Sequence, residues 1–126
     1  MANQSLAAKN DAIVREFLAA WERRDEVTIL SLCTADAVWE YVTMPPIVGK
    51  TALAEHLSEY RGRPGARIDI RLQVASGDVV FNERFDHLTL KSGRQVTIRC
   101  CGVFEIKDDQ ISAWRDYFDT RGRGVA

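Results

Sequence analysis

The stretch Ile68-Asp69-Ile70-Arg71-Leu72-Gln73-Val74 alternates strictly between apolar and polar side chains. Successive side chains of a strand point to opposite faces, so the alternation predicts a half-buried strand with its four aliphatic residues on one face. Short polar turns follow, and three further strands are predicted between them, at about residues 79–90, 95–106 and 111–118. Four strands joined by tight turns indicate an antiparallel meander.

Helices are predicted before this meander. In the first, over about residues 6–23, Ile13, Phe17 and Trp21 recur every four positions and form one apolar stripe. Asp25 can cap a short second helix. That second helix is predicted at about residues 26–33. A strand follows at about residues 37–43 and stops at Met44-Pro45-Pro46, and a third helix is predicted at about residues 52–60. This order predicts an α+β fold, in which helices cross the open side of a strongly bent, mixed but mainly antiparallel sheet and leave a cone-shaped pocket.

Composition narrows the class of protein. The 126 residues are 46% hydrophobic and 28% charged with a net charge of −1, which predicts one globular domain over residues 1–126 and no attraction to nucleic acid or to an anionic membrane. The sequence has no apolar run of bilayer length and no signal-peptide core, so we expect a cytoplasmic location. Three cysteines suggest no disulfide framework, and the neighbours Cys100 and Cys101 should face opposite ways.

Two strand segments carry the groups most suited to chemistry. Alternation places Trp114, Asp116 and Phe118 on one face, so a carboxylate stands between two aromatic rings, where poor solvation raises its pKa. Arg84 and Asp86 share a face of another strand. If the strands pair so that Arg84 lies between the two aspartates, the arginine can hold one ionised while the other keeps a proton, and the three groups form an acid–base site.

Each of these features also has a plain structural interpretation. Arg84 with Asp86 fits an ordinary ion pair along one strand, and Asp116 fits a surface aspartate. Tyr41 and Thr43 offer hydroxyl groups on one strand face that can orient a water molecule, although a tyrosine there can equally be packing. His56, His87 and the cysteines lack metal-ligand spacing, and there is no phosphate-binding or dinucleotide-binding motif, so we expect no metal and no cofactor.

Taken together, these segments resemble the limonene-1,2-epoxide hydrolase family of the SnoaL-like and nuclear transport factor two-like superfamily. The resemblance runs from about Ala7 to Asp119 and rests on the joint presence of both strand motifs with Tyr41-Val42-Thr43-Met44-Pro45. It implies a cystatin-like cone-shaped fold and a one-step, cofactor-free opening of an epoxide.

The resemblance also implies a role for each residue. Asp116 matches the aspartate that takes a proton from the attacking water, and Asp86 matches the acid that protonates the epoxide oxygen. Arg84 matches the arginine between them, and Tyr41 matches a tyrosine that helps to hold the water. Thr43 departs from the pattern, because it stands where the family has an asparagine that also holds the water; its hydroxyl is shorter than a carboxamide.

The substrate and partner are expected to suit such a site. An apolar wall would favour a small hydrophobic substrate, and its candidate residues are Trp39, Leu72, Phe104, Trp114 and Phe118. A cone-shaped sheet leaves its outer face uncovered, so we expect a homodimer packed there, as the resemblance also implies.

Two other functions remain open on the sequence. One is an isomerase or cyclase of the ketosteroid isomerase or SnoaL type, in which one aspartate abstracts a proton next to a carbonyl and Tyr41 or a protonated carboxyl stabilises the oxyanion. The other is a non-catalytic small-molecule-binding member of the same superfamily, because fold alone does not decide function.

Overall fold

The structure, a computed structural model, describes residues 5–119. In that part of the chain the elements are α1 (Leu6–Glu22), α2 (Glu26–Ser31), β1 (Cys33–Tyr41), β2 (Ile47–Val48), α3 (Lys50–Ser58), β3 (Arg67–Ser76), β4 (Val79–Thr89), β5 (Gln95–Lys107) and β6 (Gln110–Phe118). No helix within residues 5–119 is long and apolar enough to span a bilayer.

The first two helices begin at side-chain caps that the local sequence supplies. Ser5 Oγ accepts a hydrogen bond from the backbone N–H of Ala8 at 3.1 Å, and Asp25 Oδ1 accepts one from Thr28 at 3.1 Å. The prediction that Asp25 caps the second helix is therefore confirmed. The apolar stripe of α1 lies against the sheet and buries Phe17 and Trp21.

The six strands form one sheet in the order β2-β1-β6-β5-β4-β3. Strands β1 and β6 run parallel, and every other neighbouring pair is antiparallel. The predicted α+β fold, with a mixed and mainly antiparallel sheet covered by helices, is confirmed. The long strands β4, β5 and β6 are adjacent, so their inward side chains converge on the helices.

Strand β3 departs from the simple alternation of its sequence. Ile70 lies opposite Arg84 of β4, but Leu72 lies opposite Glu83, so Arg71 is an extra residue that forms a β-bulge. The bulge reverses the facing of the residues after it, because side-chain direction has a period of two. Leu72 and Val74 are 67% and 66% exposed, and the expectation that all four aliphatic residues share one face is wrong.

Strand β1 is also placed differently from the prediction. It starts at Cys33 and ends at Tyr41, and the backbone N–H of Met44 closes a turn on Tyr41 O at 3.0 Å. Thr43 lies in that turn with φ 76° and its side chain is exposed. The prediction that the strand continues to Thr43 is wrong, because the turn before Pro45 ends the ladder two residues earlier.

Aromatic rings fill the space between α1 and the sheet. Trp114 of β6 stacks on Trp39 of β1, with ring centroids 4.9 Å apart, and on Phe104 of β5 at 5.4 Å. Phe17 and Trp21 of α1 meet Trp114 edge-on at 5.2 and 5.5 Å. This cluster fixes the position of Trp114, and therefore of the strand that carries Asp116.

Candidate functional site

A buried arginine forms the centre of the candidate site. Arg84 on β4 is 1% exposed and shares the inner strand face with Asn82 and Asp86, because residues two apart on a strand face the same way. A guanidinium cannot lose its charge inside a protein, so its burial requires anions and acceptors nearby. The neighbouring strands supply them.

A glycine brings the carboxylate of β6 within reach of this arginine. Gly102 of β5 lies between Asn82 of β4 and Asp116 of β6 in the sheet and pairs with both. A Cβ atom at Gly102 would collide with Arg84 Nη1 and would lie 2.9 Å from Asn82 Oδ1 and 3.0 Å from Asp116 Oδ1. The missing side chain therefore opens the space in which the groups from β4 and β6 meet.

Arg84 bridges the two aspartates. Its Nε donates to Asp86 Oδ1 at 2.9 Å and its Nη2 donates to Asp86 Oδ2 at 3.1 Å, a two-point contact. The same Nη2 donates to Asp116 Oδ2 at 2.7 Å. Nη1 donates to Asn82 Oδ1 at 3.0 Å. The structure thus brings together Arg84, Asp86 and Asp116.

The two carboxylates are held differently. Besides Arg84, Asp116 accepts a hydrogen bond from Trp114 Nε1 at 2.7 Å and one from the thiol of Cys100. Three donors fit an ionised carboxylate, which can only accept. Asp86 has Arg84 as its donor, and burial raises its pKa against the opposing attraction of Arg84, with a further rise from the charge of Asp116. Asp116 therefore meets three donors, whereas burial favours a retained proton on Asp86.

The arginine and the thiol are held in single charge states. Burial alone would lower the pKa of Arg84, but the charges of Asp116 and Asp86 raise it above its usual range. Burial and the charge of Asp116 raise the pKa of the Cys100 thiol. Arg84 therefore remains a cation and Cys100 remains a neutral donor.

The three groups open onto a cavity of about 150 Å³. Its wall is mostly apolar, and it includes Trp39, Trp114 and Phe118 as predicted, together with Tyr41. Two other expected wall residues lie elsewhere: Leu72 is on the outer sheet face because of the bulge, and Phe104 is fully buried in the core. Thr43 is not among the lining residues, because it lies in the exposed turn after β1.

A chain of amides, which no sequence motif indicates, positions Arg84 from the side of α1. Asn82 Nδ2 donates to Gln73 Oε1 at 3.0 Å, and Gln73 Nε2 donates to Asp11 O at 3.1 Å and Asp11 Oδ1 at 2.9 Å. Gln73 faces inward because of the bulge at Arg71. Sequence alternation placed Gln73 opposite to the aliphatic residues of its strand and gave no sign of this contact. The glycine at position 102, in the middle of a strand, was the one available signal of a close approach.

Three side chains of the site have atoms that suit a metal ion. Ligand atoms of Asp86, Cys100 and Asp116 all lie within 4.8 Å of one another. The guanidinium of Arg84 already contacts both carboxylates and supplies the positive charge between them. The two carboxylates are therefore already paired with the guanidinium of Arg84. A divalent cation does not fit this site, because it would have to displace Arg84 from both of them.

His87 takes no part in this cluster. Its Nε2 contacts Asp69 Oδ2 and its Nδ1 contacts Thr97 Oγ1, each at 2.9 Å. The expectation that His87 points away from Arg84 and Asp86 is confirmed. Cys101 is exposed while Cys100 is buried, so the two neighbours do face opposite ways.

Comparison with known proteins places the chain in a family. The family model of the SnoaL-like domain matches residues 14–114. The chain belongs to the SnoaL-like family. This SnoaL-like protein is 38% identical over 106 residues to the epoxide hydrolase EphG of Mycobacterium tuberculosis, and the match covers 84% of this chain and 70% of EphG.

Solved structures agree with that assignment. The SnoaL-like chain superposes on a limonene-epoxide-hydrolase-like epoxide hydrolase of M. tuberculosis with a TM-score of 0.85 and 33% identity, over 94% of this chain and 89% of the other. It also matches an NTF2-like protein of unknown function from Burkholderia pseudomallei, with a TM-score of 0.80 and 20% identity over 89% and 92% of the two chains. The second similarity shows the fold alone.

Proposed function

We propose that this SnoaL-like protein is an epoxide hydrolase of the limonene-1,2-epoxide hydrolase type, which adds water to a small hydrophobic epoxide in one cofactor-free step. The observation that carries the proposal is the buried Arg84 that bridges Asp86 and Asp116 at the wall of an apolar cavity. The similarity to EphG and to the solved structure of a limonene-epoxide-hydrolase-like epoxide hydrolase supports it.

Asp116 is the general base of the proposed reaction. Hydrogen bonds from Arg84 and Trp114 hold its carboxylate in place, and Tyr41 lines the same cavity, where its hydroxyl can help to hold the water. As the water oxygen forms a bond to one epoxide carbon, its proton passes to Asp116. A fixed base and a fixed water remove much of the entropy cost of bringing reactants together.

Asp86 is the general acid. The bond between the attacked carbon and the epoxide oxygen breaks, and that oxygen takes the proton of Asp86, so the product is a neutral diol. Burial favours the protonated form of Asp86, which this step needs. Asp116 then releases its proton, Asp86 regains one, and Arg84 stabilises the negative charge as it moves from one carboxylate to the other.

The test is hydration of cyclic terpene and cycloalkene epoxides in ¹⁸O-labelled water by the purified protein. We expect a diol that carries one labelled oxygen, and a loss of turnover by about 10² to 10⁴ in Asp116→Asn. Asp36→Asn is the control, because Asp36 is exposed on β1 and does not line the cavity. Unchanged hydration in Asp116→Asn would remove the role assigned to Asp116, and no hydration of any epoxide by the wild type would remove the proposed function.

Ketosteroid isomerase-like or cyclase chemistry is the second candidate, since it also uses a carboxylate base and a protonated donor. The hydrogen bonds of Arg84 favour the hydrolase. Arg84 donates two of them to Asp86 and one to Asp116, and a guanidinium shared by two carboxylates suits a pair in which one acts as the acid and the other as the base. Turnover of ketone substrates without epoxide hydration would reverse this choice. Ligand binding that is unchanged in Asp116→Asn, without any turnover, would indicate the non-catalytic function.

We also propose a homodimer through the outer face of the sheet. Four large apolar side chains are exposed there on β3, β4 and β6, namely Leu72 (67%), Val74 (66%), Phe81 (51%) and Tyr117 (52%). Val74 and Phe81 lie directly opposite each other in neighbouring strands and form a continuous patch. Clustered exposed apolar groups of this kind mark interaction surfaces in folded proteins.

A further inference from the structure

Two arginines line the cavity in addition to the bridging Arg84. Arg24 lies in the turn between α1 and α2, and Arg63 lies in the loop between α3 and β3. Both pack on the ring of Tyr60, with their Cζ atoms 5.1 and 4.9 Å from its centroid. Three arginines therefore line a cavity that holds two aspartates, and both aspartates are engaged with Arg84.

Arg24 and Arg63 differ in their ion pairing from the arginines that lie near them in the sequence. Arg23 pairs with Asp25 at 3.0 Å and Arg61 pairs with Glu26 at 2.8 Å, and both of these arginines are exposed. Among residues 5–119, Arg24 and Arg63 form no ion pair with a carboxylate. Acids nearby in sequence thus neutralise Arg23 and Arg61, whereas Arg24 and Arg63 have no carboxylate partner within the described residues.

The pKa and the hydrogen bonding of Arg24 also indicate a site for an anion. Burial lowers the pKa of Arg24, Tyr60 opposes that shift in part, and the like charge of Arg63 lowers the pKa further. Its Nε–H is buried and meets no acceptor within the described part of the chain. Two like charges near the same ring repel each other, and an anion that contacts both would relieve the repulsion and offset the cost of desolvation.

Local contacts fix the turn that carries Arg24 against the loop that carries Arg63. Arg24 adopts the left-handed conformation at φ 57°, and its Nη2 donates to Pro64 O at 3.1 Å. Gly65 packs so tightly on the carbonyl of Glu22 that a Cβ atom would collide with it, and Glu22 Oε2 accepts the N–H of Ile68 at 2.7 Å. A site arranged in advance loses less entropy when it binds.

We propose that the substrate is an epoxide that carries a carboxylate group, bound by Arg24 and Arg63 while the ring lies against Asp86 and Asp116. The epoxide part of this inference rests on the proposed function, whereas the carboxylate part rests on Arg24 and Arg63 alone. Guanidinium groups suit a carboxylate because their planar N–H donors match its two oxygens. The aliphatic part of the substrate would lie along the aromatic wall between the two ends.

The first experiment compares matched substrates. Terminal epoxides of about six to eleven carbons are supplied either as ω-epoxyalkanoates or as the alcohols of equal length. We expect kcat/KM to be roughly tenfold or more higher for the carboxylates in the wild type, mainly through KM, and the preference to decline as salt is added. Arg24→Gln and Arg63→Gln should each lower kcat/KM for the carboxylates by a larger factor than for the alcohols, so that the preference declines.

Two further variants control the comparison. Arg23→Gln removes the same charge next to Arg24 but from an exposed residue outside the cavity, so the preference should persist. Arg63→Lys keeps the charge and should restore part of the preference. Equal kcat/KM for acid and alcohol in the wild type would overturn the inference while epoxide hydration still supported the proposed function.

The second experiment does not depend on turnover. Octanoate and octan-1-ol, which contain no epoxide, are titrated into the wild type by calorimetry. Tighter binding of octanoate that weakens in Arg24→Gln or Arg63→Gln supports the anion site even if every epoxide proves inert. Equal binding of both probes, or binding of octanoate that neither substitution affects, would overturn it.

Discussion

The guanidinium group of Arg84 fills the space that a side chain at position 102 would need. The glycine has no Cβ atom, and the Nη1 of Arg84 lies too close to the position of that atom for both to fit. Gly102 needs no unusual backbone angle, since its φ lies outside the left-handed region that four other glycines adopt. The requirement for glycine at this position is therefore steric, and it joins the packing of β5 to the geometry of the charged cluster.

Gly102→Ala should impair the site more than the fold. A methyl group there must displace Arg84 from Asp116, so we expect kcat to fall by about 10² or more and the free energy of unfolding to fall by about 1–3 kcal/mol. Gly62→Ala is the comparison, because Gly62 has φ 81° and a Cβ atom there would meet nothing within 4 Å, so it should lose stability but not kcat. Normal kcat in Gly102→Ala would show that the cluster tolerates the displacement.

Trp114→Phe should isolate the hydrogen bond to Asp116. The change keeps an aromatic ring in the stack but removes the Nε1–H that lies 2.7 Å from Oδ1. Hydrogen bonds to charged groups contribute about 1.5–3 kcal/mol, so we expect kcat to fall about tenfold or more. Trp39→Phe trims the same ring area from the adjacent wall, but its Nε1–H has no acceptor within residues 5–119. Equal losses in the two variants would assign the effect to ring size.

The protonation of Asp86 should set the alkaline limb of the pH–rate profile. Only the protonated carboxyl can donate to the epoxide oxygen, so kcat should fall as pH rises through the pKa of Asp86, which burial raises. Asp86→Asn should lower kcat by about 10² to 10⁴ and remove that limb from the residual rate. An identical limb in Asp86→Asn would assign it to another group.

The same raised pKa predicts a sign for the dependence of stability on pH. A carboxyl that binds its proton more tightly in the folded state stabilises the fold fully below the unfolded pKa of about 3.9, and this contribution is lost as pH rises through the folded pKa. The free energy of unfolding of the wild type, relative to that of Asp86→Asn, should therefore decline with rising pH in this window. Chemical denaturation at several pH values measures the difference.

Thr43→Ala should leave catalysis intact. Its side chain is exposed in the turn after β1 and lies outside the cavity, so we expect kcat/KM to change by no more than about twofold. Tyr41→Phe is the comparison, because it removes a hydroxyl from the cavity wall and should lower kcat/KM clearly. A large loss in Thr43→Ala would mean that the turn rearranges around the substrate and brings this hydroxyl to the water.

The proposed homodimer predicts a defined response to charge on the outer sheet face. The wild type should sediment as a dimer at micromolar concentration, and Phe81→Lys should sediment as a monomer, because it places a cation in the apolar patch. Val27→Lys alters another exposed apolar residue, on α2 and away from the sheet, and should remain a dimer. A monomeric wild type would end this proposal.

Local patterns were sufficient to determine the element types and the pairs of groups that share a strand face. The four-residue recurrence of Ile13, Phe17 and Trp21 predicted α1, and alternation along β4 and β6 placed Arg84 with Asp86 and Asp116 with Trp114. These are relations between residues a few positions apart, and the period of a helix or strand determines them directly.

Only the tertiary structure decided how those pairs meet. The register of β4, β5 and β6 brings Arg84 to Asp116, 32 residues away, and Gly102 leaves room for the contact. The bulge at Arg71 turns Gln73 inward and Leu72 outward. Register and bulges depend on hydrogen bonds between distant strands, and a shift of one residue reverses every side chain that follows, so alternation within one strand cannot specify them.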